Sequence, residues 1–125
     1  MAVKNKKTDT SVVLVEAVIN GMLEKKGKEI ISLDLAKVNS TVCDFFVICH
    51  GTSRTHVTAI AESVEQTVKE QCGLNPGRRE GFTNGEWMLI DYLDVVVHIF
   101  QEPVRRFFQI EELWADAPSE KIAES

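Results

Sequence analysis

Nothing in this chain approaches the roughly 18 consecutive apolar residues of a membrane-spanning helix, so a transmembrane helix is excluded. The start, Met1 to Lys7, is basic, but no apolar core with a small-residue cleavage site follows it and it lacks arginine. That argues against a secretory or organellar leader, and residues 1–10 are expected to form a short, frayed cytosolic tail. Cysteine is sparse: Cys43, Cys49 and Cys72 are odd in number and form no CxxC pair. A zinc site or dithiol redox centre is therefore not indicated, and reduced, mostly structural thiols in the cytoplasm are. A net positive charge is also missing. The net charge is −5, and residues 111–125 carry Glu111, Glu112, Asp116, Glu120 and Glu124 against Lys121 alone. Such a chain is poorly suited to wrapping nucleic acid, and a basic protein surface would complement it better. No internal repeat and no low-complexity block is present.

What is present is the composition of an ordinary globular domain, 44% apolar and 26% charged over 125 residues. At this length one domain with a sizeable core is feasible. The densest apolar stretch, Gly85 to Phe100, is two apolar runs around a short polar interruption and predicts a central β-hairpin. In its second strand Val95, Val97 and Ile99 alternate with Val96, His98 and Phe100, so both faces must be covered, as in an interior strand. Upstream, Thr10 or Ser11 is expected to cap a helix with apolar positions at Val12, Val15, Val18, Ile19, Met22 and Leu23, stopped at Gly27. Ile31, Leu33 and Leu35 mark a strand, Asn39-Ser40-Thr41 a turn, and Cys43 to His50 a strand buried on both faces. Ser53 is expected to cap a second helix through Val57, Ile60, Ala61, Val64 and Val68 to Cys72-Gly73, with Glu65 and Lys69 as an i,i+4 pair. Arg78 to Phe82 reads as a polar edge strand. Pro103 opens a helical segment in which Val104, Phe107, Phe108, Ile110, Leu113 and Trp114 are expected to cover the sheet. The order implies one α/β domain, a mixed sheet covered by helices, over residues 11–116, with 117–125 a disordered acidic tail.

Three constellations bear on chemistry. The turn Gly51-Thr52-Ser53-Arg54, between a strand and a helix, offers amides, hydroxyls and a cation to a phosphate, but lacks the glycines of nucleotide-binding loops; an ordinary capped turn explains it as well. Asp91 and Asp94 flank the hairpin turn, where a metal pair for nucleotidyl transfer competes with turn-forming aspartates, and the spacing favours the turn. His50, His56 and His98 complete no Cys/His or Ser/His/Asp arrangement. Trp87, beside Glu86 and Asp91, fits either a core residue or a binding hot spot, as do Phe107 and Phe108 beside Arg105 and Arg106.

Asp44-Phe45-Phe46-Val47-Ile48-Cys49, Gly51-Thr52-Ser53-Arg54 with His56, Trp87 through Asp91, Asp94 through Phe100, Arg105-Arg106 and Leu113-Trp114 closely resemble the ribosomal silencing factor, or Iojap-like, family over residues 12–116. The resemblance implies a fold similar to nucleotidyltransferases without their catalytic residues, no enzyme activity, no metal and no cofactor. It implies binding to the large ribosomal subunit through the large-subunit ribosomal protein numbered fourteen. Joining of the small subunit is thereby blocked sterically, repressing translation during nutrient limitation. The alternative is a nucleotidyltransferase-like phosphate- or nucleotide-binding enzyme using Ser53, Asp91 and Asp94. The implied partner surface is Trp87, Asp91, Tyr92, Asp94, His98, Glu102, Arg105 and Phe108; a membrane or a specific nucleic-acid sequence is not implied, and a homodimer of the free protein is left open. Leu93 stands where family members often have Gly, which suggests a different turn type, and Phe108 where they often have Tyr.

Overall fold

The computed structural model describes residues 2–38 and 43–123, so the expected turn at residues 39–41 lies outside the described residues. Helix α1 (Ala2–Glu24) leads into strand β1 (Lys28–Asp34), a short 3-10 turn (Leu35–Val38) and strand β2 (Phe45–Gly51). Helix α2 (Arg54–Cys72), strands β3 (Arg78–Glu80), β4 (Trp87–Asp91) and β5 (Val95–Gln101), helices α3 (Glu102–Phe108) and α4 (Ile110–Leu113), and strand β6 (Ser119–Lys121) follow. The strands form one sheet in the order β3-β4-β5-β2-β1-β6. Only the central β2–β5 pair is parallel; the other four pairings are antiparallel, so the sheet is mixed as expected.

The β4–β5 hairpin is the predicted one, with Trp87 opposite Phe100 and Leu89 opposite His98. Because side chains alternate along a strand, β5 supplies two cores. Val95, Val97 and Ile99 pack with Val47, Cys49, Met88 and Ile90 beneath α1 and α2. Val96 and Phe100 pack with Phe46, Ile48, Leu33 and Leu35 on the opposite face, where Ile110 and Ala117 close over them. Ser53 caps α2 by accepting from the His56 N–H at 3.0 Å, and Gly73 ends it in the left-handed region that glycine favours. All five apolar positions predicted for α2 are fully buried.

Several expectations are corrected. Helix α1 begins at Ala2, because nothing before Thr10 breaks it; the Ser11 hydroxyl donates to Asp44 Oδ2 at 3.0 Å and does not cap. Val15, Val18 and Met22 are buried as expected, but Leu14 and Ala17 join them and Val12 is 39% exposed; the helix ends with Lys26, not Gly27, in the left-handed region. At residues 117–125 the chain is not uniformly disordered: Ser119–Lys121 pairs with β1 as edge strand β6, Ile31 opposite Lys121. Glu65 pairs with Arg79 on β3 at 2.9 Å rather than with Lys69, tying α2 to the sheet edge.

Candidate functional site

The two faces of the sheet are covered unequally, and the site follows from that. Helices α1 and α2 shield one face, whereas among the described residues the other is covered by the 3-10 turn, the short α3 and α4 and the segment with Trp114 and Ala117. On strand β4 alternation therefore buries Met88 and Ile90 while Trp87, Leu89 and Asp91 stay half-buried on the open face. The Trp87 ring stacks on Phe100, centroids 4.8 Å apart, and tilts against Phe108 at 5.0 Å. Phe107 meets Phe108 edge-on at 5.0 Å. Phe107 is 80% and Phe108 49% exposed beside the indole; Leu113 on α4 is 74% exposed, and Leu93, at the turn at the other end of β4, 76%. Beside the indole a hollow of about 210 Å³ is lined by Gly81, Asn84, Glu86, Val104 and Phe108. Exposed Glu86 lines it, Glu102 stands at the start of α3, and half-buried Asp91 and Asp94 flank the turn at the far end of β4.

The residues expected at the partner surface divide into two groups. Trp87, Asp91, Asp94, Glu102 and Phe108 are at least partly accessible. Asp91 accepts from the Leu93 N–H at 2.8 Å and lies 3.7 Å from Arg78, while the Asp94 carbonyl accepts from the Asp44 and Phe45 N–H groups. Glu102 accepts from Arg106 at 2.9 Å. Tyr92, His98 and Arg105 are buried. Tyr92 turns to the face under the long helices, where burial pushes its hydroxyl pKa up. His98 sits beneath the aromatic cluster, and burial pushes its pKa down to about 4. Arg105 is 3% exposed: Nε and Nη2 both donate to Glu111, and Nη1 donates to the Lys28 carbonyl and to His50 Nδ1 at 2.9 Å. It joins α3, α4, β1 and β2 from within. Burial, and next the Arg105 charge, push the His50 pKa down.

Leu113 and Leu93 are the surface residues that sequence reasoning missed, and of the two readings left open for Phe107, core or hot spot, its exposure fits the second. Phe107 and Leu113 were expected to cover the sheet, yet at about 100° per residue Arg105 and Phe107 lie about 160° apart on α3, so with Arg105 buried Phe107 faces out; Leu113, on α4, is exposed as well. The turn at Leu93 also departs from expectation. Leu93 has φ 75° and the Asp94 N–H donates to the Tyr92 carbonyl, so the chain keeps, with leucine, a positive-φ tight turn of γ-turn type.

The phosphate and metal alternatives find their groups engaged elsewhere. Thr52 N–H donates to His56 Nδ1, His56 Nε2 donates to the Lys25 carbonyl, and Arg54 donates to the Thr83 carbonyl. Among the described residues no group of three or more His, Cys, Asp or Glu side chains is placed to hold a metal ion. A larger hollow of about 670 Å³ lies between β1, α4 and β6, but two of its lining residues are committed, Arg105 to Glu111 and Glu29 to Arg106.

These features define a small mixed-sheet α/β protein with an open aromatic face rimmed by carboxylates. Residues 8–125 match the family described as "Ribosomal silencing factor during starvation", and the chain belongs to that family. It is 38% identical over 109 residues to the ribosomal silencing factor of Halalkalibacterium halodurans, covering 87% of this chain and 92% of that protein. It is 40% identical over 95 residues to that of Bacillus subtilis, covering 76% and 79%. A crystal structure of a Bacillus halodurans protein superposes with a TM-score of 0.74 at 36% identity, covering 87% of this chain and 97% of that one.

Proposed function

We propose that this protein binds the large ribosomal subunit and sterically prevents its joining with the small subunit, repressing translation during nutrient limitation. The observation that carries the reading is the open face: Trp87, Phe107, Phe108 and Leu113 lie exposed or half-exposed on or beside the thinly covered side of the sheet, with acidic groups around them. Clustered aromatics within a polar rim are the composition of a protein-binding hot spot. The negative rim favours a basic partner, as ribosomal proteins commonly are, and speeds encounter with it. The partner proposed is the large-subunit ribosomal protein numbered fourteen, in line with the family resemblance. The role is one of occupancy, requires no catalysis or cofactor, and is exercised in the cytoplasm.

Sedimenting the purified protein with isolated large subunits, isolated small subunits and assembled ribosomes tests this. Co-sedimentation with large subunits only, and inhibition of subunit joining at matching concentrations, is expected. Co-sedimentation with small subunits alone would overturn the reading.

A further inference from the structure

Trp87 brings its own difficulty to an apolar docking face, because its indole N–H must be satisfied wherever the ring is desolvated. The structure resolves this from beneath. Trp87 Nε1–H donates to His98 Nδ1 at 3.1 Å, across the β4–β5 hairpin. In the ladder Trp87 faces Phe100, two residues beyond His98, so the indole and the imidazole lie diagonally on one face. Phe100 stacks below the indole and Phe108 leans on it, so two aromatic contacts and one hydrogen bond set the ring's orientation. The polar edge of the indole points into the protein. What remains to face a partner is hydrocarbon.

His98 is itself held. It is 5% exposed, and Phe46 packs edge-on against it with centroids 4.6 Å apart. To accept at Nδ1 the ring must be neutral with its proton on Nε2, and burial favours the neutral form. Nε2 is buried without a hydrogen-bond partner among the described residues, so the Trp87 bond is the polar contact identified for this ring. A buried imidazole is a costly way to fill space on an apolar strand, and leucine or phenylalanine would pack there without an unpaired nitrogen.

We infer that His98 is a positioning residue for docking: by accepting the Trp87 indole proton it locks the ring with its hydrocarbon edge outward, so that the face selects an apolar rather than a hydrogen-bonding group on the partner. This rests on the docking function proposed above. Without the bond the indole can turn over, placing an N–H that seeks an acceptor on the contact surface.

The test separates positioning from docking by reading each independently. In ¹⁵N-labelled full-length protein the Trp87 indole N–H, assigned with Trp87→Phe, is expected to exchange slowly with solvent. In His98→Leu that protection should fall at least tenfold. In His98→Asn, whose Oδ1 occupies the place of Nδ1, much of it should return. Binding to isolated large subunits is then measured for His98→Leu, Trp87→Phe and the double variant. His98→Leu should weaken binding about tenfold in the native background and have little effect once Trp87 is phenylalanine. Equal protection in His98→Leu and the native protein would overturn the inference, as would equal losses on binding in both backgrounds. If His98→Leu does not fold, His98→Phe, which fills the site with a ring but no acceptor, replaces it in both measurements, and the same outcomes support or overturn the inference. Failure of the native protein to bind large subunits overturns the docking reading and with it the selection of an apolar group, while the exchange data still report on the lock itself.

Discussion

Strand β5 belongs to two different surfaces. Val95, Val97 and Ile99 lie under two long helices, and α2 there buries Val57, Ile60, Val64 and Val68 completely. At the crossing of α1 and α2 a Cβ on Gly21 would stand 2.6 Å from the Val64 Cα, so the helices approach as closely as backbone allows. On the other side Val96, His98 and Phe100 are just as buried, but the layer over them consists of a 3-10 turn, helices of seven and four residues and the segment with Trp114 and Ala117. That layer ends early, and Trp87, Phe108, Phe107 and Leu113 stand at its margin. Equal apolarity along one strand has produced a closed core on one side and an open face on the other. Cover, rather than hydrophobicity, separates the closed side from the open side proposed here for docking.

The largest effect that would test this contrast is on the closed side. Ile99→Ala should lose about 4 kcal/mol in urea unfolding, transfer and cavity costs adding because the site cannot collapse. A loss under about 1 kcal/mol would break the distinction. Next comes acid sensitivity on the open side. His98 has its folded pKa depressed from the ordinary 6.5 to about 4, so the unfolded chain binds its proton first as the solution is acidified. Its contribution is therefore complete above pH 6.5 and drains away as pH falls towards 4, amounting to about 3 kcal/mol. Unfolding curves for the native protein and His98→Asn should converge or cross over that window, and parallel curves would refute it.

Docking itself comes third. Trp87→Ala should weaken large-subunit binding about tenfold or more, and Phe107→Ser should weaken it several-fold. The two sharpen each other. Trp87 is half-buried on Phe100, so its removal also lowers stability, whereas the bare Phe107 ring can be removed with the melting temperature unchanged. If Phe107→Ser leaves binding intact while Trp87→Ala abolishes it and melts the protein, Trp87 is acting as core.

Two smaller changes probe the edges. Leu93→Gly relieves a positive φ that leucine adopts at a cost and should stabilise the chain by about 1 kcal/mol after the added freedom of the unfolded state is deducted. An unchanged urea midpoint would show that the turn carries no strain. Glu65→Ala, which removes the half-exposed bridge to Arg79, should cost about 0.5 kcal/mol and leave binding untouched. Loss of binding here would extend the docking surface to the helical side of the sheet.

Much of this was legible before any coordinates. Period-two alternation from Val95 to Phe100 announced an interior strand, and 3.6-residue spacing with Ser53 and Gly73 at its ends delimited α2 nearly to the residue. Those signals are local: each residue's direction follows from its neighbours along the same element. Family motifs placed Trp87 and Phe108 among the expected partner-surface residues, but the chain could not say that Arg105, next to Arg106, is buried on His50 and Glu111 while Arg106 is exposed. Nor could it show that the Ser11 hydroxyl serves Asp44, that Glu65 reaches Arg79, or that residues 119–121 add a sixth strand.

By itself, then, the sequence determined the first five strands, the second helix, the hairpin and the family, because periodicity and capping are written in consecutive residues. Only the tertiary structure decided which apolar residues stay bare and which polar ones are enclosed. A helix of seven residues can turn only part of its surface inward, and whether Arg105 or Phe107 occupies that part depends on what waits there: the Lys28 carbonyl, His50 and Glu111, two of them more than fifty residues away along the chain.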